Sequence, residues 1–128
     1  MGKGYLIDSN IIIAYLDNKL SSTAMEMMNG IIDNIPNISV ITKIEVLRFN
    51  TTESNYKILE DFINESVVLG IDDKVVEQTI SICKSQKIKL PDAIIAATAS
   101  AYNFSLITRN TSDFKNIEGL ELLNPWDK

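Results

Sequence analysis

Five short apolar runs, each followed by a turn or helix-opening signal, constrain this chain more than any other feature. They are Gly4-Tyr5-Leu6-Ile7, Ile38-Ser39-Val40-Ile41, Ser66 to Leu69, Ser105 to Thr108 and Leu120 to Leu123. Runs this short, bounded by breakers such as Gly70 and Asn124-Pro125, read as buried strands. The segments between them repeat apolar residues at helical spacing. Ser9 is a candidate cap for a helix from Asn10 to about Asn18, with Ile12, Ile13, Leu16 and Leu20 on one side. Thr23-Ala24-Met25-Glu26 and Thr42-Lys43-Ile44-Glu45 have capping-box spacing, the second opening a helix from about Lys43 to Phe49.

Ser54 begins a helix whose inner face is Ile58, Leu59, Phe62 and Ile63. Asp72 or Asp73 caps the next, with Val75, Val76, Thr79, Ile80 and Cys83 along its stripe. Leu90-Pro91-Asp92 opens another, because proline suits a first turn where its missing N–H costs nothing. Its continuation, Ala93 to Ala101, is rich in alanine and isoleucine and is expected to be buried on most sides. Strands alternating with helices imply an α/β fold. The expectation is a three-layer α/β/α sandwich around a mostly parallel five-stranded sheet, in one domain spanning residues 1–128.

Such sheets gather their functional groups at the carboxyl ends of the strands. Asp8 follows the first run, Glu45 lies just past the second, Asp113 lies beyond the fourth, and Asp92 opens a helix that can pack beside them. A local explanation competes at each position. Asp8 suits a cap or turn, Glu45 a capping box, Asp92 a helix first turn, and Asp113 a turn. Taken together at one sheet edge, they predict a carboxylate cluster. Four carboxylates in one cleft cannot all stay ionised without a cation, and oxygen-only ligands suit magnesium or manganese.

The chain contains no histidine, which excludes Ser-His-Asp and Cys-His catalysis and histidine-bearing zinc sites. Divalent cations held by carboxylates can still support phosphodiester hydrolysis by activating water and neutralising the developing charge. A single cysteine, Cys83, allows no intrachain disulfide and accords with a reducing cytoplasm; its spacing reads as core packing. No apolar run approaches the roughly 20 residues of a membrane span, and Met1-Gly2-Lys3-Gly4 opens nothing like a secretory signal. The net charge of −5 is unusual for a protein that holds nucleic acid, so phosphate contacts would need a local basic rim. Lys43, Arg48, Lys84, Lys87, Lys89, Arg109 and Lys115 are the available cations, with Lys87 and Lys89, just before Asp92, the foremost.

Four segments together resemble the PIN domain family. They are Leu6-Ile7-Asp8-Ser9-Asn10, Thr42-Lys43-Ile44-Glu45, Leu90-Pro91-Asp92 through Ala99, and Ile107-Thr108-Arg109-Asn110-Thr111-Ser112-Asp113-Phe114. With the closing Gly119-Leu120 to Asn124-Pro125 segment, the chain is similar to the VapC-like toxin ribonucleases of type II toxin–antitoxin systems. The resemblance implies a magnesium-dependent endoribonuclease, with manganese as a substitute. Asp8, Glu45, Asp92 and Asp113 would be catalytic, with Asp8, Asp92 and Asp113 as metal ligands and Glu45 or Asp113 as a water-activating base. Ser9, Asn10, Thr108 and Asn110 would orient the site, and Lys43, Lys87, Lys89 and Arg109 would meet RNA. The resemblance also implies a homodimer and a small antitoxin covering the active-site groove. Ile12, Ile13, Tyr15 and Leu16 are candidates for that groove or a dimer face, with core packing competing for at least half of them. Trp126 carries no assignment.

Three alternatives remain. One is a PIN-type RNA-processing nuclease without an antitoxin. Another is a catalytically silent PIN-like binding module, against which the intact acidic quartet argues. A dehalogenase-like phosphatase would want a second aspartate two residues after Asp8, where this chain has Asn10.

Overall fold

The structure, a computed structural model, describes residues 4–125; Trp126 and the first three residues, on which the secretory-signal reading rests, lie outside that range. Five strands and seven helices follow in order: β1 (Tyr5–Ile7), α1 (Ser9–Leu16), α2 (Ser22–Asp33), β2 (Asn37–Ser39), α3 (Val40–Leu47), α4 (Glu53–Asn64), β3 (Val67–Leu69), α5 (Asp73–Ser85), α6 (Leu90–Ala101), β4 (Ser105–Ile107), α7 (Thr111–Phe114) and β5 (Leu122–Leu123). The sheet order is β3-β2-β1-β4-β5, and every pairing is parallel. The expected five-stranded α/β/α sandwich is therefore present, with a fully parallel sheet.

Successive strand side chains point to opposite faces, and the two cores divide accordingly. Leu6 and Leu106 pack with Val75, Ile82, Ala96, Phe114 and Ile117 on the α5–α6 side. Their neighbours Ile7 and Ile107 pack with Ile11, Ile12, Met28, Val46 and Leu59 on the other. Ala93, Ala96, Ala97 and Ala99 of α6 are fully buried, as their composition predicted. At the start of β1, Gly4 lies so close to the Phe104 ring that an added Cβ would stand 2.6 Å from it. Among the described residues no helix is long and apolar enough to cross a membrane.

Several local expectations are corrected. Asp8, not Ser9, caps α1, since its carboxylate accepts the Ser9 N–H at 2.8 Å. Ser21, not Thr23, caps α2, and α4 begins at Glu53 behind a Thr52 cap, one residue before Ser54. Ser39 caps α3, so β2 ends there instead of at Ile41 and the Thr42-to-Glu45 segment is helix interior, not a capping box. Asp72 caps α5 as expected, accepting from Val75 N at 2.9 Å. On α5 the buried stripe is Val75, Thr79 and Ile82, whereas Val76, Ile80 and Cys83 face outward. Cys83 is thus not a core residue. Ile58 is likewise exposed, leaving Leu59 and Ile63 as the buried face of α4. The final strand begins at Leu122 rather than Leu120, and Asp113 lies in the short helix α7 instead of a plain turn.

Candidate active site

The chain reverses its direction of travel across the sheet at β1. It runs outward through β2 to β3, then crosses back to β4 on the other side of β1. A crevice opens at the carboxyl ends of strands where such a reversal occurs. Asp8 and Thr108 each follow the last residue of one of these two strands, and their side chains meet there. Thr108 Oγ1 donates to Asp8 Oδ2 at 2.8 Å, joining residues 100 apart in the chain. The backbone reinforces this seam, with Asp8 N donating to Ile107 O at 2.9 Å.

Asp8 is the anchor of the cluster. It is only 5% exposed and receives further bonds from Ser9 N at 2.8 Å and Asn10 Nδ2 at 3.5 Å. Because Asp8 takes the capping role, the Ser9 hydroxyl is available elsewhere, and it donates to Glu45 Oε1 at 3.0 Å. That bond removes the capping-box explanation for Glu45 and ties α3 to the mouth of β1. Asn10 spans the seam, its Oδ1 accepting from Arg109 N at 3.3 Å. The Asn110 backbone N–H donates to Thr108 Oγ1 at 3.1 Å, whereas its side chain makes no cap bond to α7.

The electrostatics show which acids share the cleft. Burial pushes the Asp8 carboxyl up to about 6, outweighing its hydrogen bonds from Thr108 and Ser9, and the charges of Glu45 and Asp92 push the same way. Burial also raises Asp92, followed by the charges of Asp113 and Glu45, with Lys89 opposing them. The four expected acids therefore act on one another across one sheet edge. Asp8 is buried, Glu45 and Asp92 are half-buried, and Asp113 is exposed.

Carboxylate and hydroxyl oxygens are the donors here, a set that suits a hard divalent cation and no softer metal. A buried acid beside two others also has the electrostatic need for such a cation. The donors fit magnesium or manganese in kind. Among the described residues, however, no three of the acids converge closely enough to hold one ion.

Of the expected basic residues, Lys89 acts on the cluster, its charge opposing the rise in Asp92. Lys89 caps α6 next to Asp92, Lys87 precedes it, Lys43 stands on α3 before Glu45, and Arg109 follows Thr108; all four are exposed. Of the apolar residues suggested for a groove, Ile12 belongs to the core, while Ile13 and Leu16 line a cleft between α1 and α4. Phe49 and Ile58, both exposed, complete its apolar wall. The sequence reading missed Ser39 and misread Thr42, which is fully buried. The Ser-x-x-Thr-x-x-Glu spacing offers two overlapping capping patterns, and only the end of β2 selects the first.

An all-parallel α/β/α sandwich with a histidine-free acidic cluster at its switch point defines a carboxylate-based catalytic or binding domain. The PIN domain family model matches residues 5–120, so this chain belongs to the PIN domain family. It is similar to Ribonuclease VapC1 of Rickettsia felis, with 32% identity covering 98% of each chain. A toxin–antitoxin complex from Klebsiella pneumoniae contains a chain with 28% identity and a TM-score of 0.76, over 98% of this chain and all of that one. The fold also matches DNA-bound VapBC from Salmonella typhimurium, with a TM-score of 0.81 at 24% identity over 97% of this chain and 99% of that one.

Proposed function

We propose that this protein is a magnesium-dependent endoribonuclease, acting as a single cytoplasmic domain and serving as the toxin of a VapBC-type pair. The observation that carries this reading is the buried Asp8, bonded across the switch point to Thr108 and electrostatically joined to Glu45 and Asp92. Its close relatives bear the names of ribonucleases and of toxin–antitoxin complexes, which supports the same assignment. Asp8 and Asp92 would hold the cation directly and Asp113 through a bound water, and manganese would substitute for magnesium. When bound, the cation supplies charge neutralisation and lowers the pKa of attacking water.

The remaining work falls to the chain itself. Thr108, Ser9 and Asn10 fix the Asp8 carboxylate so that it needs no reorganisation as charge develops. Ser9 holds Glu45 through Oε1, orienting the carboxylate to accept a proton from attacking water; Asp113 is the other candidate for that role. Lys43, Lys87, Lys89 and Arg109 would bind phosphates on either side of the cut. This local rim offsets the net charge of −5. The test is cleavage of total cellular RNA by purified protein, with magnesium and with EDTA. Discrete magnesium-dependent cuts are expected; intact RNA after incubation with folded protein, manganese also tried, would defeat the reading.

The partner would be a small antitoxin, and the cleft of Ile13, Leu16, Phe49 and Ile58 supports a site for it. Phe49 lies one turn beyond Glu45, so a segment in this cleft would lead to the acidic edge. A homodimer belongs to the same reading, supported by the exposed apolar row Val76 and Ile80 on α5. Ile58→Asp is expected to weaken antitoxin binding by at least about ten-fold while leaving RNA cleavage unchanged. Co-expression with each short reading frame found beside its gene, followed by light scattering of any purified complex, measures both points. A complex retained at full yield by the variant, or containing one copy of this chain, would contradict the respective part.

A further inference from the structure

We propose that Thr42 is a positioning residue for Glu45, its hydroxyl binding an internal water that also donates to the Glu45 carboxylate. The proposal rests on the nuclease reading above and adds a residue to its machinery. Thr42 is fully buried, and among the described residues its Oγ1 is the one buried side-chain polar atom without a hydrogen-bond partner.

Thr79 donates to Val75 O at 2.7 Å and Thr98 to Ile94 O at 2.8 Å, each satisfying itself four residues back along its own helix. Thr42 lies too near the start of α3 for this, because the residue four back, Ile38, belongs to β2. A buried hydroxyl left unpaired is costly, and valine would fill the same space without that cost. Internal waters meet such groups where several polar atoms converge, and a typical one makes about three hydrogen bonds.

The location supplies the second polar partner. Thr42 and Glu45 are three apart on one helix, so their side chains are neighbours on one face. That face is the inward one, because Thr42 and Val46 are the buried residues of α3. α3 packs against both α1, which bears Ser9, and α6, which bears Asp92. Glu45 is held on one side by Ser9 Oγ, through Oε1 only. A water between Thr42 Oγ1 and Oε2 would hold the carboxylate from its other side and fix its plane. Every other buried polar side chain at this edge, Asp8, Ser39 and Thr108, already has a protein partner.

Two variants and one structure test this. Thr42→Val is expected to lower kcat for RNA cleavage about ten-fold with KM unchanged, because positioning acts on the transition state rather than on binding. Its melting temperature should change little, since valine fills the same space and Glu45 keeps its bond from Ser9. Thr42→Ser keeps the hydroxyl and should retain wild-type kcat within about two-fold. A crystal structure of the wild type should show an ordered water bonded to both Thr42 Oγ1 and Glu45. Wild-type kcat in the valine variant, or equal loss in the serine variant, overturns the proposal, as does a Thr42 hydroxyl bonded only to protein. If the wild type itself cleaves no RNA, the nuclease reading fails and the crystal structure alone decides. Water shared with Glu45 then upholds Thr42 as the positioning residue, and its absence from that place overturns the role.

Discussion

Asp8→Asn is expected to abolish RNA cleavage, by at least about a thousand-fold, while making the metal-free protein more stable at neutral pH. The two effects share one cause. Asp8 is a buried carboxylate whose surroundings favour its protonated form, with burial the largest influence. At about 1.4 kcal/mol per pH unit, the rise from 3.8 to about 6 corresponds to an ionisation cost of about 3 kcal/mol in the folded state. The amide carries no charge and avoids that cost. It also keeps only one acceptor for the Ser9 and Thr108 donors, so the gain should be smaller than the full amount.

The pH dependence follows with a definite sign. Between about pH 4 and 6 the folded protein holds a proton on Asp8 that the unfolded chain has already lost. Stability of the metal-free wild type should therefore fall as pH rises through this window and level off above it. Asp8→Asn should flatten that slope. Millimolar magnesium should raise the melting temperature of the wild type at pH 7 and leave the variant almost unmoved. Urea unfolding from pH 4 to 8 in EDTA and in magnesium measures all of this. An Asp8→Asn protein that still cuts RNA at near the wild-type rate would remove Asp8 from the site.

Thr108→Val should have the opposite effect on stability. The Thr108 hydroxyl donates to Asp8 and accepts from the Asn110 N–H, so valine would deprive a buried carboxylate and a backbone donor at once. Leaving buried groups unpaired costs about 1–3 kcal/mol each, and more for a charged one. A loss of about 3 kcal/mol at pH 7 is expected, shrinking at pH 4, where the folded Asp8 is protonated. Cleavage should fall about 10- to 100-fold, because Asp8 loses its anchor and its ionised form becomes costlier still. Thr108→Ser should recover most of both. A valine variant as stable as the wild type at pH 7 would show that the seam between β1 and β4 does not depend on this hydroxyl.

These opposite signs separate two kinds of information in the chain. Asp8 and Asp92 were legible because they stand at a strand end and a helix start, and parallel sheets gather such positions at one edge, whereas Glu45 was reached through a capping box that α3 does not have. The proline start of α6 and the Asp72 cap of α5 were legible for a similar reason, as the residues that fix them lie within a few positions. Family membership followed from the same four segments.

Other features depend on distance in space. Val75, Thr79 and Ile82 and the row Val76, Ile80 and Cys83 both recur at helical spacing on α5, and only the position of α6 decides which is buried. Thr42 and Ser39 offered competing helix starts, and the end of the β2 ladder chose Ser39. The hydrogen bond from Thr108 to Asp8 and the unpaired hydroxyl of Thr42 leave no local mark at all. Local pattern was enough to read the five strands, the six longer helices and their order, with Asp8 at a strand end and Asp92 at a helix start, because propensity, capping and hydrophobic period act over a few residues. Which faces are buried and how the acids are held depend on the packed layers, because burial and long-range hydrogen bonds exist only where those layers meet.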